Sequence, residues 1–427
     1  MTERAITFQE LSSPTQPLLF TVTPHFHRSL PLPGIDPWGK RLQLESIMFE
    51  KVIDRTGTGS LKWDRYKDPE ILPMWVADMD FRSPEPVIDA LKTRAEHGVF
   101  GYTIPYKSLN DTVLRYLEHS HGFSCQPEWL VWLPGLVPAL NLICRAFEGT
   151  VLTATPIYPP FLSAPPYSGR PIQKVPLQLA GDRWEFDWDA LEAATTADTR
   201  VLLLCNPHNP VGRVFTRDEL EKLAQYAQRH DLVVSADEIH SDLILEPDLR
   251  HIPFATLGDD SRERSISLFA PSKTYNLPGL SCAFAVIPNP KLRAAFNKAA
   301  RGIVTEINAM GYAACEAAYK EGEPWRTELL AQLRRNRDRV LDFIRGNTPE
   351  IGITPIEATY LAWLDVRSLE LDDPAAHFLK HGLALSDGKL FGAPGYLRLN
   401  FGCPPQTLQS GLDRLLQGVQ SARSSTP

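Results

Sequence analysis

From about Trp129 onward, short apolar runs alternate with amphipathic stretches. Leu130–Leu133 is an apolar run broken by Pro134-Gly135, and behind the break Val137, Leu140, Ile143, Cys144 and Phe147 recur at helical spacing. That pattern predicts strand, turn and helix. Val151–Ala154 is a second run, stopped by Pro156 and by Pro159-Pro160 in a proline-rich loop. Val201–Cys205, Leu232–Ala236 and Ser265–Phe269 predict three further strands. Between the first two of these, Thr216 and Glu219 stand at the spacing of a capping box. The helix they open runs to about His230, with Leu220, Leu223, Ala224 and Ala227 on one face. Continuous apolar strands joined by helices predict an α/β fold whose mostly parallel sheet is buried on both faces. Residues 1–47 read differently: they are proline-rich, lack periodicity and are expected to form an extension. His25 and His27 make an H-x-H pair there that does not define a metal site, and Met48 is an alternative start.

The polar residues fall where such a sheet binds ligands, just past the carboxyl ends of its strands. Val201–Cys205 leads into Asn206-Pro207-His208-Asn209-Pro210, Leu232–Ala236 into Asp237-Glu238-Ile239-His240, and Ser265–Phe269 into Ala270-Pro271-Ser272-Lys273. Asn209, Asp237, His240, Ser272 and Lys273 are therefore expected to converge.

Composition narrows the function class. The chain has 427 residues, 43% hydrophobic and 22% charged, which excludes a mostly disordered protein. Its net charge of −7 and the lack of a basic stripe argue against nucleic-acid binding. No run of 18 apolar residues predicts a transmembrane helix, and the N-terminus does not read as a secretory signal. Six scattered cysteines without a C-x-x-C pair give neither a zinc site nor a disulfide framework, so buried thiols in a cytoplasmic protein are expected. Proline is abundant, with 37 residues, many of them in the loops at the strand ends, where they lower the entropy lost on ordering.

Each candidate residue has a chemical reading beside a plainer one. A desolvated Lys273 can bond a carbonyl cofactor, although most lysines are solvated. Asp237 suits the ring nitrogen of pyridoxal 5'-phosphate, or it is a helix N-cap. Gly135, Leu136 and Val137 place backbone N–H groups at a helix start, where a phosphate binds, or Gly135 is only a turn residue. Ser272 adds a hydroxyl. Tyr158 stacks on a ring or packs in the core. Arg398, in the alternating segment 395–401, binds a carboxylate or points to solvent.

The motifs together resemble the fold-type-I pyridoxal-phosphate enzymes of the aminotransferase class I/II superfamily. Within them the chain is similar to the cystathionine β-lyase branch, the MalY- and PatB-like carbon–sulfur lyases. The resemblance covers about residues 48–420. It rests on Asp54–Asp64 (DRTGTGSLKWD), Leu72–Phe81 (LPMWVADMDF), His97–Tyr102, the NPHNPVG loop at 206–212, Asp237–His240, Ser272–Leu280 (SKTYNLPGL), Thr359–Asp365 and YLRLNFGCP at 396–404. It implies a large cofactor domain over residues 96–315 and a smaller α+β domain from residues 48–95 and 316–420. It also implies that Lys273 bonds the cofactor, Asp237 pairs its ring nitrogen, Asn209 and His240 hold its ring hydroxyl, and Tyr158 stacks on it. Tyr102 would reach the phosphate of the neighbouring subunit in a homodimer with shared active sites. Arg398 would take the carboxylate of a small amino-acid substrate, with Ala77 beside it. The loop 387–395 is shorter than the family pattern.

The reaction so implied is β-elimination from cystathionine or another S-substituted L-cysteine to thiol, pyruvate and ammonia. An aminotransferase or a specialised biosynthetic lyase on the same fold are the alternatives. A non-catalytic cofactor-binding regulator is a further one, but residues 1–47 are short for a DNA-binding domain and carry no helix-turn-helix pattern.

Overall fold

The structure is a computed structural model and describes residues 46–425. The expectations for residues 1–45, the His25/His27 pair included, lie outside the described residues. A seven-stranded sheet forms the centre. Its strands are β1 (Leu130–Leu133), β2 (Thr150–Thr155), β3 (Ile172–Pro176), β4 (Thr199–Cys205), β5 (Val233–Asp237), β6 (Ser265–Phe269) and β7 (Ala283–Val286). They lie in the order β1-β7-β6-β5-β4-β2-β3. Only β7 runs antiparallel to its neighbours.

The apolar runs become strands because both faces of the sheet are covered. Val201 and Leu203 enter one apolar cluster with Leu140, Ile143 and Phe161, while Leu202 and Leu204 enter another with Leu220 and Leu223. The alternation of clusters along β4 follows from side chains pointing to opposite faces. Helix α1 (Leu136–Ala146) follows β1, and helix α2 (Arg217–Arg229) follows β4 with the expected capping box: Thr216 and Glu219 each accept from the other's backbone N–H. The proline-rich stretch after β2 differs from expectation. Pro159–Tyr167 is helical, because Pro159 and Pro160 occupy the first turn, where no N–H is needed.

A second, four-stranded antiparallel sheet comprises β8 (Gly352–Ile353), β9 (Leu361–Asp365), β10 (Ser386–Asp387) and β11 (Tyr396–Asn400), in the order β8-β9-β11-β10. Its apolar residues pack on helices α3 (Glu323–Asn347) and α4 (Pro405–Ser425). Phe49 joins that core against Phe81 and Trp325. All six cysteines are free thiols. Among the described residues, no helix is long and apolar enough to cross a membrane, and no three His, Cys, Asp or Glu side chains are grouped for a metal ion.

Candidate active site

A cavity of about 200 Å³ opens at the carboxyl ends of β4, β5 and β6. Ala77, Gly135, Leu136, Val137, Tyr158, Asn209, Asp237, His240, Ser272 and Lys273 all line it. The convergence follows from topology. β4, β5 and β6 are adjacent and parallel, so each delivers its trailing loop to the same edge. Asp237 is the last residue of β5 rather than the first beyond it. It is not a helix N-cap, because its carboxylate accepts only the N–H of Ile239, at 3.2 Å, within a turn.

The Asn209 loop is fixed from three sides. His208 N–H donates to the Arg213 carbonyl at 2.8 Å, and Phe215 N–H donates to Asn206 Oδ1 at 3.1 Å. Gly212 closes it with φ +73°, a left-handed conformation, and a Cβ there would stand 3.2 Å from Ile356.

Arg398 does not line the cavity but sits behind it on β11. It is 4% exposed, so the solvent-facing reading fails. Its Nη1 donates to Asn209 Oδ1 at 3.0 Å and its Nη2 to the Trp75 carbonyl at 3.0 Å. The guanidinium stacks over Phe391, 4.7 Å from the ring centre. Nε is buried and has no hydrogen-bond partner among the described residues. Burial lowers its pKa to about 10, so it stays charged.

Lys273 Nζ donates to the Ala77 carbonyl at 2.7 Å. Burial lowers its pKa to about 8; the Arg398 charge pushes the same way, while Asp78 and Asp237 oppose. Burial raises the Asp237 carboxyl to about 7, against the Ile239 N–H and the Lys273 charge. Burial lowers His240 to about 3, helped by Lys273 and Arg398, so the imidazole is neutral. Its Nδ1 is buried without a partner among the described residues.

Tyr102 is not brought to this cavity. It is fully exposed, on a loop that also exposes Val99, Phe100 and Ile104.

The segment carrying Ala77 has side-chain partners that sequence reasoning did not assign. Asn400 Nδ2 donates to the carbonyls of Val76 and Asp78, each at 2.6 Å, and Asn400 Oδ1 accepts from Gly402 N–H at 2.7 Å. Asn276 Oδ1 accepts from Met79 N–H, and its Nδ2 donates to the carbonyls of Met79 and Phe81. Ser386 Oγ donates to the Trp75 carbonyl at 2.8 Å. Two ion-paired groups brace the segment from outside: Arg55 contacts Asp78 and Asp80, and buried Lys62 contacts Asp80 at 2.7 Å. These partners are remote in sequence, and no local spacing marks them. Asn400→Ala would leave the Val76 carbonyl and the Gly402 N–H without their side-chain partner, while the Asp78 carbonyl keeps only Lys62 Nζ at 3.4 Å. It is expected to cost about 3 kcal/mol of stability, read as a lower urea midpoint at unchanged slope.

The chemistry of this donor set fits pyridoxal 5'-phosphate. A buried carboxylate raised toward 7 lacks a full counter-charge, which a ring N–H would supply. An amine with a pKa near 8 is poised for a carbonyl group. The orphaned His240 Nδ1 and the Asn209 side chain stand ready for a ring hydroxyl. Gly135, Leu136 and Val137 at the start of α1 line the cavity, and the first N–H groups of a helix suit a phosphate.

The fold and this site define a class, and comparison with known proteins agrees. The aminotransferase class I and II family profile matches residues 70–415. The chain is 38% identical to cystathionine beta-lyase PatB of Bacillus subtilis (strain 168), over 86% of this chain and 98% of that protein. The crystal structure of OvoB superposes with a TM-score of 0.85 at 45% identity, covering 87% of this chain and 99% of that one. Cystalysin from Treponema denticola, whose crystal structure contains pyridoxal 5'-phosphate, superposes with a TM-score of 0.83 at 33% identity, covering 87% and 98%. The chain belongs to the aminotransferase class I and II family and has the fold-type-I architecture expected from its sequence.

Proposed function

We propose that this chain is a pyridoxal 5'-phosphate-dependent carbon–sulfur β-lyase. It cleaves cystathionine or another S-substituted L-cysteine, with one water, to a thiol, pyruvate and ammonia. The carrying observation is the Lys273 amine, its pKa lowered toward neutrality by desolvation, sharing one cavity with Asp237, with Arg398 directly behind it. The identity to a protein named cystathionine beta-lyase supports the lyase reading.

Arg398 binds the substrate carboxylate through its unpartnered Nε edge, while Asn209, Trp75 and Phe391 hold the guanidinium in place. Bound in the cavity, the cofactor supplies an electron sink beside the substrate Cα. Asp237 keeps a proton on the ring nitrogen, and Asn209 and neutral His240 hold the ring hydroxyl. Tyr158 covers one ring face. The N–H groups of Leu136 and Val137, with the Ser272 hydroxyl, bind the phosphate. Lys273, as the free amine, takes the Cα proton and delivers a proton to the departing sulfur. Ala77 borders the substrate.

Two further readings accompany this one. Residues 96–315 form the large cofactor domain, with residues 48–95 and 316–420 forming the small one. The working unit is a cytoplasmic homodimer in which Tyr102, fully exposed here, reaches the phosphate of the neighbouring site.

The test is incubation of purified protein with L-cystathionine, with and without a 2-oxo acid. Pyruvate and thiol formed without the acceptor support the lyase; strict dependence on the acceptor identifies an aminotransferase instead. Arg398→Ala is expected to raise KM for the amino acid about 10- to 100-fold, the scale of one charge-assisted pair, in steady-state assays.

A further inference from the structure

Two side-chain donors meet on one backbone oxygen. Lys273 Nζ donates to the Ala77 carbonyl at 2.7 Å, and the Tyr360 hydroxyl donates to the same oxygen at 2.9 Å. The oxygen cannot swing away, because Asn400 holds the carbonyls on both sides of it. Tyr360 is 1% exposed, and its ring stands edge-on to His240 at 6.2 Å between centres. Burial drives its pKa far upward, so its hydroxyl remains a donor. The mechanism above gives Tyr360 no task.

We propose that Tyr360 is a positioning residue that sets the basicity and orientation of Lys273 through the Ala77 carbonyl. The proposal rests on Lys273 acting as the base. A hydrogen bond to the charged form of a group favours that form. An oxygen that already accepts from Tyr360 has less electron density to offer an ammonium. The shared acceptor therefore stabilises the Lys273 cation less and releases the free amine at lower pH. It also keeps hold of one N–H, which fixes the direction of the lone pair. The charged and titratable groups facing Lys273 are Arg398 on β11, Asp78 on the pinned segment, and Asp237 and His240 at the end of β5. None of them donates to the Ala77 oxygen, and all are retained when only the Tyr360 hydroxyl is removed.

Tyr360→Phe leaves the Ala77 oxygen paired with Lys273, so the fold is expected to survive, as a urea titration would verify. The decisive measurement is the pH dependence of Lys273 acylation by acetic anhydride, read by mass spectrometry on the full-length chain freed of cofactor. Tyr360→Phe is expected to slow labelling at pH 7 about three- to tenfold and to move the midpoint upward. In the holoenzyme the acid limb of kcat should move upward with KM unchanged. Incorporating 3-fluorotyrosine at position 360, a stronger donor of nearly the same shape, should move both midpoints downward. Equal labelling midpoints in all three proteins, or a downward shift for Tyr360→Phe with an upward one for 3-fluorotyrosine, overturn the proposal. Labelling does not depend on which reaction is catalysed. An acceptor-dependent enzyme with shifted labelling would overturn the lyase reading alone, and pyruvate release with unshifted labelling would overturn this one alone.

Discussion

Lys273→Ala is expected to lower turnover by about 10⁴-fold or more and to abolish the absorbance of lysine-bound cofactor. The size follows from two losses at one atom. General acid–base catalysis by a positioned side chain contributes about 10²- to 10⁴-fold, and in the proposed reaction Lys273 is also the amine that bonds the cofactor. The surroundings explain why no neighbour substitutes. Arg398 keeps its charge with a pKa near 10, and neutral His240, near 3, is too weak a base. The Tyr360 hydroxyl, raised by burial, gives up no proton at working pH. The fold should tolerate the change, because the Ala77 carbonyl keeps Tyr360 as donor. Steady-state pyruvate release and an absorbance spectrum check both parts. Retained absorbance with retained turnover would remove Lys273 from the chemistry.

Much of this site was legible because the sheet is buried on both faces. β1 and β6 match their apolar runs residue for residue, and β2, β4 and β5 differ only at their ends. Once those strands are parallel and adjacent, the residues trailing them must meet. Edge and crossing elements were harder to read. β3 is half exposed along most of its length and carries no continuous apolar run. β7, antiparallel, has no trailing reactive loop to mark it. Arg398 shows the limit of local pattern most clearly. An arginine in an alternating strand points to solvent by default, and only the resemblance placed it in the site. Its burial depends on Trp75 and Asn209, 323 and 189 residues away in sequence. Tyr360 lay in a segment quoted for the resemblance, yet its partner, Ala77, is 283 residues distant, so no spacing could reveal the contact.

Asp237→Asn has opposite expected effects in the two forms of the protein. In the proposed holoenzyme the carboxylate would keep the ring nitrogen protonated, and an amide would not, so kcat is expected to fall about 10³-fold or more. In the chain freed of cofactor the same carboxylate is a burden. Its pKa rises from 3.8 to about 7 because burial penalises the charge, with Glu238 beside it adding to the push. Between those values the folded chain holds a proton that the unfolded chain has lost. The stability contributed by this group is therefore complete below about pH 4 and declines as pH rises through about 7. Asparagine removes that dependence. Cofactor-free Asp237→Asn should be more stable than the parent at pH 8 by a few kcal/mol. The advantage should shrink on acidification and vanish near pH 4, as urea titrations at several pH values would show. Glu238, raised by burial to about 8, remains in both proteins, so the difference between them isolates Asp237. Adding cofactor should reverse the order at pH 8, because only the parent offers the ring nitrogen a counter-charge. A variant less stable than the parent without cofactor at pH 8 would mean that Asp237 already has a compensating partner in the fold, and would remove the strongest physical reason for pairing it with the ring.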